Sequence, residues 1–294
     1  MTELLGPRDV QQLAAPLNLH PAKALGQNFV VDPNTIRRIV RLADLPPEAE
    51  VLEVGPGLGS LTLGLLAAGH RVTAVEIDER LARLLPDTVD ARLPEGAARL
   101  RVVAADAISI DAGLGVPDSL VANLPYNVAV PVLLHCLATF PSLERSLVMV
   151  QKEVADRLAA APGSKTYGVP SVKAAWYARV RRVGSVPPTV FWPVPRVDSG
   201  LVLLVAHRDP ADVRGEQPRD RVFAVIDLLF GQRRKTVRHT LTARLGPEVA
   251  DSALARAGLA PGDRPEQWGL AQFVQLAAAL PKSTQSHQLS RDLA

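Results

Sequence analysis

Residues 34–43 place Ile36, Ile39, Val40 and Ala43 on one face of a helix and leave Arg37, Arg38 and Arg41 off it. Beyond them, short apolar runs alternate with helical patterns. Strands are expected at Val51–Val54, Val72–Glu76, Leu100–Val103, Leu120–Ala122 and Ser146–Val150. Helices are expected at Leu58–Ala68, Glu79–Leu85 and Val130–Ala138. Strands separated by helices predict an α/β fold, a parallel sheet covered by helices on both faces. Two later runs, Ala178–Val183 and Leu201–Ala206, are expected to close the sheet as an antiparallel, hairpin-like pair. The Pro-rich stretch Pro187–Pro195 between them is expected to be an irregular loop.

After His207 the pattern changes. Residues 208–219 are polar, carry Pro210, Gly215 and Pro218, and read as a linker. Helical periodicity then dominates at Asp220–Phe230, Lys235–Arg244, Glu248–Ala257 and Glu266–Leu280. The expected division is residues 1–207 as the sheet domain, 208–281 as a small all-α domain and 282–294 as a polar, disordered tail.

Composition changes this picture little, whereas charge changes it more. The chain has 294 residues, 47% of them hydrophobic and 21% charged, which is enough for a sizeable core. No apolar run reaches the roughly 20 residues that span a bilayer, and no signal peptide is expected. The single cysteine, Cys136, lies in an apolar stretch and excludes an intrachain disulfide. With six scattered histidines, no metal site is expected. Residues 1–139 hold 11 Lys/Arg against 16 Asp/Glu, whereas residues 140–294 hold 22 against 14. The basic half suits a polyanion, although Arg-rich surfaces also serve solubility alone.

Candidate chemistry gathers behind the predicted strands. Glu53-Val54-Gly55-Pro56-Gly57-Leu58-Gly59 follows the first strand and opens a helix. Glycines let such a loop turn tightly and approach a ligand. The spacing is G-x-G-x-G, not the G-x-G-x-x-G of a dinucleotide fold. Glu53 before the loop suits an aminoacyl group and not a pyrophosphate. Glu76 ends the next strand, where a carboxylate can accept two hydrogen bonds from a ribose diol. Asp106 follows the third and can accept from an adenine amino group, with Ile77 and Ala107 flanking the ring faces. Each carboxylate alone reads more readily as a solvated strand end. Together at successive strand ends they mark a ligand site.

Asn123-Leu124-Pro125-Tyr126 follows the fourth strand. An aromatic amine is a poor nucleophile because its lone pair is delocalised into the ring. The Asn123 side-chain carbonyl and the Leu124 backbone carbonyl can accept its two N–H bonds and favour a tetrahedral nitrogen. Pro125 stiffens the backbone, and Tyr126 offers a ring on which a flipped-out base stacks. A plain turn after a strand is the alternative.

These segments resemble the rRNA adenine dimethyltransferases in identity and order. The resemblance is carried by Lys23-Ala24-Leu25-Gly26-Gln27-Asn28-Phe29-Val30, the glycine loop, Glu76-Ile77-Asp78, Asp106-Ala107 and Asn123–Asn127. Phe191–Ser199, Gln232-Arg233-Arg234-Lys235-Thr236 and Arg264-Pro265-Glu266 complete it. It covers roughly residues 20–280, and Val30 departs from the usual Leu. The resemblance implies a Rossmann-like class I methyltransferase sheet with a small C-terminal all-α domain. It implies S-adenosyl-L-methionine as cofactor, S-adenosyl-L-homocysteine as product, and no metal. Asn28, Val30, Gly55, Glu76, Asp106 and Asn123 would contact the cofactor. Asn123, Leu124 and Tyr126 would meet the target base, and Phe191 would be a second aromatic wall.

The implied activity is dimethylation of two adjacent adenines near the 3′ end of small-subunit 16S rRNA, with a role in subunit biogenesis. The implied protein is a cytoplasmic monomer. The basic residues Arg179, Arg181, Arg182, Arg233, Arg234, Lys235 and Arg238 would contact rRNA phosphates. A relative acting on large-subunit rRNA, an assembly factor without activity and a nicotinamide dehydrogenase are the competing readings. Gly26, where large-subunit enzymes have Ser, and the Arg-Arg-Lys segment disfavour the first. The intact carboxylates and tetrapeptide disfavour the second, and the glycine spacing the third.

Overall fold

A computed structural model of the chain describes residues 4–17, 28–232 and 234–281. The described residues divide into two compact units, one made of those up to 156 with 180–206, the other of 157–179 with those from 207 onward.

The first unit is built on a seven-stranded sheet. Its strands are β2 (Glu50–Val54), β3 (Arg71–Glu76), β4 (Leu100–Ala104), β5 (Ser119–Asn123), β6 (Arg145–Gln151), β7 (Ala178–Val186) and β9 (Ser199–Ala206). The order is β4-β3-β2-β5-β6-β9-β7. Strands β2 to β6 pair in parallel, and β9 runs antiparallel to β6. The central strands are apolar runs because both of their faces are covered. The two late strands lie side by side at one edge, as the pattern implied, with β9 inserted between β6 and β7.

Helices α2 (Pro33–Ala43) and α3 (Ser60–Ala67) show why local sequence yields local structure. Asp32 caps α2, its carboxylate accepting from the backbone N–H groups of Asn34 and Thr35, and Pro33 occupies the first turn. Helix α3 is apolar on nearly every face and is buried accordingly. A β-carbon at its Gly64 would overlap Ile36 of α2, so only glycine permits this approach. Helix α4 (Glu79–Arg92) starts on Asp78, which accepts from the Arg80 N–H. Cys136 is buried in α5 (Ala129–Thr139), and burial pushes its thiol up to about 12.

Three features depart from the sequence expectations. The Pro-rich stretch is not wholly irregular: it holds the two-residue strand β8 (Phe191–Trp192), paired antiparallel with β1 (Phe29–Val30). Helices α1 (Pro7–Ala14), α6 (Lys152–Leu158) and α7 (Val169–Tyr177) were not anticipated, nor was the short α8 (Pro210–Arg214) inside the polar stretch read as a linker. Residues 157–179, placed before the boundary at 207, group instead with the second unit. The cause is aromatic packing. Trp176 and Tyr177 of α7 set their rings edge-on against Phe223 of α9 (Arg219–Phe230).

The second unit adds α10 (Val237–Leu245), α11 (Pro247–Ala257) and α12 (Leu270–Ala279). Phe230, Phe273, Trp268 and Tyr167 form its ring cluster. The single helix expected at 266–280 is a 3-10 turn, Pro265–Gln267, followed by α12 after Gly269.

Candidate active site

In the first unit, the order in which successive strands are added across the sheet switches sides between the parallel strands β2 and β5. Such a switch point opens a crevice at the strand C-terminal ends. A cavity lies there, lined by Asn28–Val30, Glu53–Leu58, Glu76, Ile77, Asp106, Ala107 and Asn123–Tyr126, among others. The structure therefore gathers the predicted loop, the carboxylates and the tetrapeptide around one space.

The glycine loop is shaped by two requirements. Gly55 and Gly57 have φ of 70° and 58°, in the left-handed region that favours glycine. At Gly57 a β-carbon would also stand 2.8 Å from two carbons of the Phe29 ring. Phe29 is buried and stacked with Trp192, which leaves it little room to move.

Glu76 is 4% exposed. One of its oxygens accepts from Gly57 N–H at 3.1 Å and the other from Asp78 N–H at 3.0 Å. Burial raises its pKa, against those backbone hydrogen bonds, and the Asp78 charge adds to the rise. The loop and this carboxylate thus hold each other in place. Glu53 is 1% exposed and accepts from the Thr62 hydroxyl at 2.7 Å. Burial pushes its carboxyl up to about 8, the Thr62 bond opposing and the Glu76 charge reinforcing. Asp106 is exposed and accepts from Ile108 N–H at 3.0 Å. Ile77 is exposed at the rim, and Ala107 is buried.

Asn123 ends β5. Its amide nitrogen donates to the Asn28 carbonyl at 2.9 Å. Because a carbonyl only accepts, this bond settles which way the amide faces. The Asn123 Oδ1 is then a buried acceptor without a partner. Such an atom carries a desolvation cost that a donor on a bound molecule relieves. Leu124 donates its N–H to Met149 of β6 at 3.0 Å, tying the tetrapeptide to the sheet. Tyr126 is half-buried, and its hydroxyl lies 2.6 Å from the Ser199 hydroxyl. Burial raises the phenol pKa, the Ser199 bond opposing, so the ring is neutral at ordinary pH.

Not every candidate comes to the cavity. Phe191 is 2% exposed, packs in the core of the first unit and is not among the cavity-lining residues. Its pairing with Val30 explains this, because β8 is fastened to β1 and the side chain is enclosed beneath. The aromatic ring that does line the cavity is Phe29, which sequence reasoning passed over between Asn28 and Val30. Thr62 and Ser199 were also missed. Neither has a local pattern that reports its partner.

The basic candidates divide. Arg179, Arg181, Arg234 and Lys235 are exposed and form no ion pair among the described residues. Arg182 is instead held by Asp156 at 2.7 Å and Ser185 at 2.6 Å. Arg238 makes a two-pronged pair with Asp251 at 2.6 and 2.8 Å. Lys23–Gln27 and Arg233 lie outside the described residues, as do residues 282–294. Among the described residues no cluster of His, Cys, Asp or Glu could hold a metal ion. No helix there is long and apolar enough to cross a membrane.

The family model for ribosomal RNA adenine dimethylase matches residues 19–282. Ribosomal RNA small subunit methyltransferase A of Kineococcus radiotolerans is 59% identical over 283 residues, covering 96% of this chain and 93% of that protein. The protein of the same name from Streptomyces coelicolor is 58% identical, covering 93% of this chain and 96% of its own length. Among solved structures, a dimethyladenosine transferase from Plasmodium falciparum superposes with a TM-score of 0.70 at 22% identity, covering 84% of this chain and 95% of that one. The 23S rRNA methyltransferase ErmE gives 0.63 at 26% identity, covering 86% and 99%.

Proposed function

The chain belongs to the ribosomal RNA adenine dimethylase family, and on that premise we propose that it dimethylates two adjacent adenines near the 3′ end of 16S rRNA. The methyl donor in this reading is S-adenosyl-L-methionine, leaving S-adenosyl-L-homocysteine, and the setting is the small subunit or its precursor in the cytoplasm. The single observation that carries it is the buried, unpartnered Asn123 Oδ1 on the wall of a cavity at the strand switch point. Extensive identity to proteins named for the small subunit supports that choice of substrate.

The cavity suits an adenosyl and aminoacyl ligand. Glu76, fixed by two backbone N–H groups, keeps lone pairs for a ribose diol. Asp106 and Ala107 serve the adenine, with Ile77 across from them. Gly55, Gly57, Asn28 and Val30 bring backbone close to the aminoacyl end, and Glu53 lies behind them. When bound, S-adenosylmethionine supplies an electrophilic methyl group on a sulfonium.

The residues of the chain prepare the acceptor. Asn123 Oδ1 and the Leu124 carbonyl accept the two N–H bonds of the target amine. Its nitrogen is thereby drawn toward a tetrahedral shape, with its lone pair turned out of the ring π-system. Tyr126 stacks on the extruded base. No strong general base is required, because the product ammonium is acidic enough to lose its proton to water. Exposed Arg179, Arg181, Arg234 and Lys235 are suited to phosphate contacts, which position the RNA without specifying it.

The test uses purified protein, labelled S-adenosylmethionine and undermethylated small subunits, with large subunits in parallel. Dimethyladenine in small-subunit RNA alone is the expected product. Label in large subunits would redirect the substrate assignment. Cofactor binding without transfer to either would favour an assembly factor.

A further inference from the structure

The hydroxyl of Tyr126 has no obvious part in stacking, because a phenyl ring presents the same π-face. It is nevertheless engaged at 2.6 Å by Ser199, whose side chain is 0% exposed. Ser199 is the first residue of β9 and stands opposite Gln151 at the end of β6. That strand start is clamped on each side. Asp198 accepts from the Lys152 N–H at 2.9 Å. A β-carbon on Gly200 would lie 2.5 Å from that of Ala155, so the backbone there sits too close for any larger residue. The tetrapeptide is tied to β6 through Leu124 and Met149. Tyr126 is therefore held at its phenol oxygen through β9, while the chain two residues before it is tied to β6 at Leu124. A hydrogen bond at the far end of a side chain restricts its torsions, which a ring without such a partner leaves free.

We propose that Ser199 is a positioning residue for methyl transfer: its buried hydroxyl holds the Tyr126 ring in the orientation against which the target base stacks. This rests on the reading of Tyr126 as the stacking residue. Ser199 itself touches neither the base nor the cavity. It acts through the tyrosine, by reducing the ring orientations that a productive complex has to select.

The test compares Ser199→Ala, Tyr126→Phe, the double variant and Ser199→Thr in the full chain. Methyl transfer to undermethylated small subunits gives kcat and KM. Equilibrium dialysis with labelled S-adenosylmethionine and thermal melts accompany it. Ser199→Ala is expected to lower kcat about tenfold, the worth of one hydrogen bond, with cofactor affinity and melting temperature close to wild type. Tyr126→Phe is expected to fall similarly. The double variant is expected to be no worse than either, since both substitutions delete one bond. Ser199→Thr, which keeps the hydroxyl, is expected to recover most of the rate.

Wild-type kcat in Ser199→Ala would overturn the proposal. So would additive losses in the double variant, or a loss of rate that follows a loss of cofactor binding or stability. Failure of the functional reading is separable, because it would appear as absent transfer in the wild-type arm.

Discussion

The cavity of the first unit and the basic segment around Arg234 and Lys235 in the second use charge in opposite ways. In the cavity, two of the three carboxylates are buried and pinned, and only Asp106 is exposed. Glu76 is held by two backbone N–H groups and Glu53 by Thr62. On the basic segment the cations are exposed, and they are either without an ion pair among the described residues, as at Arg234 and Lys235, or paired, as at Arg238 with Asp251. Desolvated groups act through position, and a displacement of a few tenths of an ångström matters to them. Exposed cations act through a screened field that tolerates displacement and adds up over many residues. Substitutions in the two regions should therefore differ in size and in kind.

The largest effect is expected at Asn123. Asn123→Ala removes the unpartnered acceptor and should lower kcat by about 10²- to 10³-fold, as loss of one preorganised hydrogen-bonding group does. Steady-state kinetics on small subunits measure this. A loss below tenfold would mean that Oδ1 does not face the amine. Next comes Gly57→Ala, which combines a left-handed φ with a collision against Phe29. It should destabilise the fold by about 1–3 kcal/mol and weaken cofactor binding in proportion to the displaced loop. Denaturant titration and dialysis are the measurements, and unchanged values in both would show that the loop accommodates a methyl group.

A smaller effect, and one of a different sign from most carboxylates, concerns pH. Glu53 titrates near 8 in the folded chain against an ordinary 4.5. The folded state therefore holds a proton that the unfolded state has released between those values. Its contribution to stability is complete below about pH 4.5 and is lost as pH rises through about 8. Glu76, raised for the same reason of burial, acts in the same direction. The ligand-free protein should melt lower near pH 9 than near pH 5, and Glu53→Gln should narrow that difference because its amide does not ionise. An equal difference in the variant would place the titration elsewhere.

The smallest effects belong to the basic segment. Lys235→Ala should weaken subunit binding at every salt concentration and reduce the slope of log affinity against log salt by about one. Arg238→Ala should reduce it by less, since Asp251 already compensates that charge. Binding measured across a salt series decides, and equal slopes for the two variants would break the distinction drawn between free and paired cations.

How far the sequence could be read varies with how local the cause is. The glycine loop was legible because its requirement, positive φ at Gly55 and Gly57, is a property of single residues. The carboxylates and Asn123 were legible because strand periodicity located the strand ends on which they sit. Phe191 was expected at the base and lies in the core, while Phe29 took the place on the cavity wall. Both outcomes follow from the β1–β8 pairing, which joins segments some 160 residues apart. Arg182 and Arg238 looked equivalent to their neighbours in the chain, and only folding supplied Asp156 and Asp251 as partners. The second unit resumes at His207, close to the expected boundary, but residues 157–179 also join it, because α7 packs against Phe223 of a later helix.

By itself, then, the sequence determined what depends on residues within a turn or a strand of one another. That covers the alternation of strands and helices, the backbone of the glycine loop, and the carboxylates and asparagine at the strand ends. Tertiary structure alone decided which aromatic ring faces the cavity, which arginines keep their charge available, and that the Tyr126 hydroxyl meets Ser199. The reason is that burial and pairing are set by whichever distant groups the fold brings together, and a linear pattern does not encode those distances.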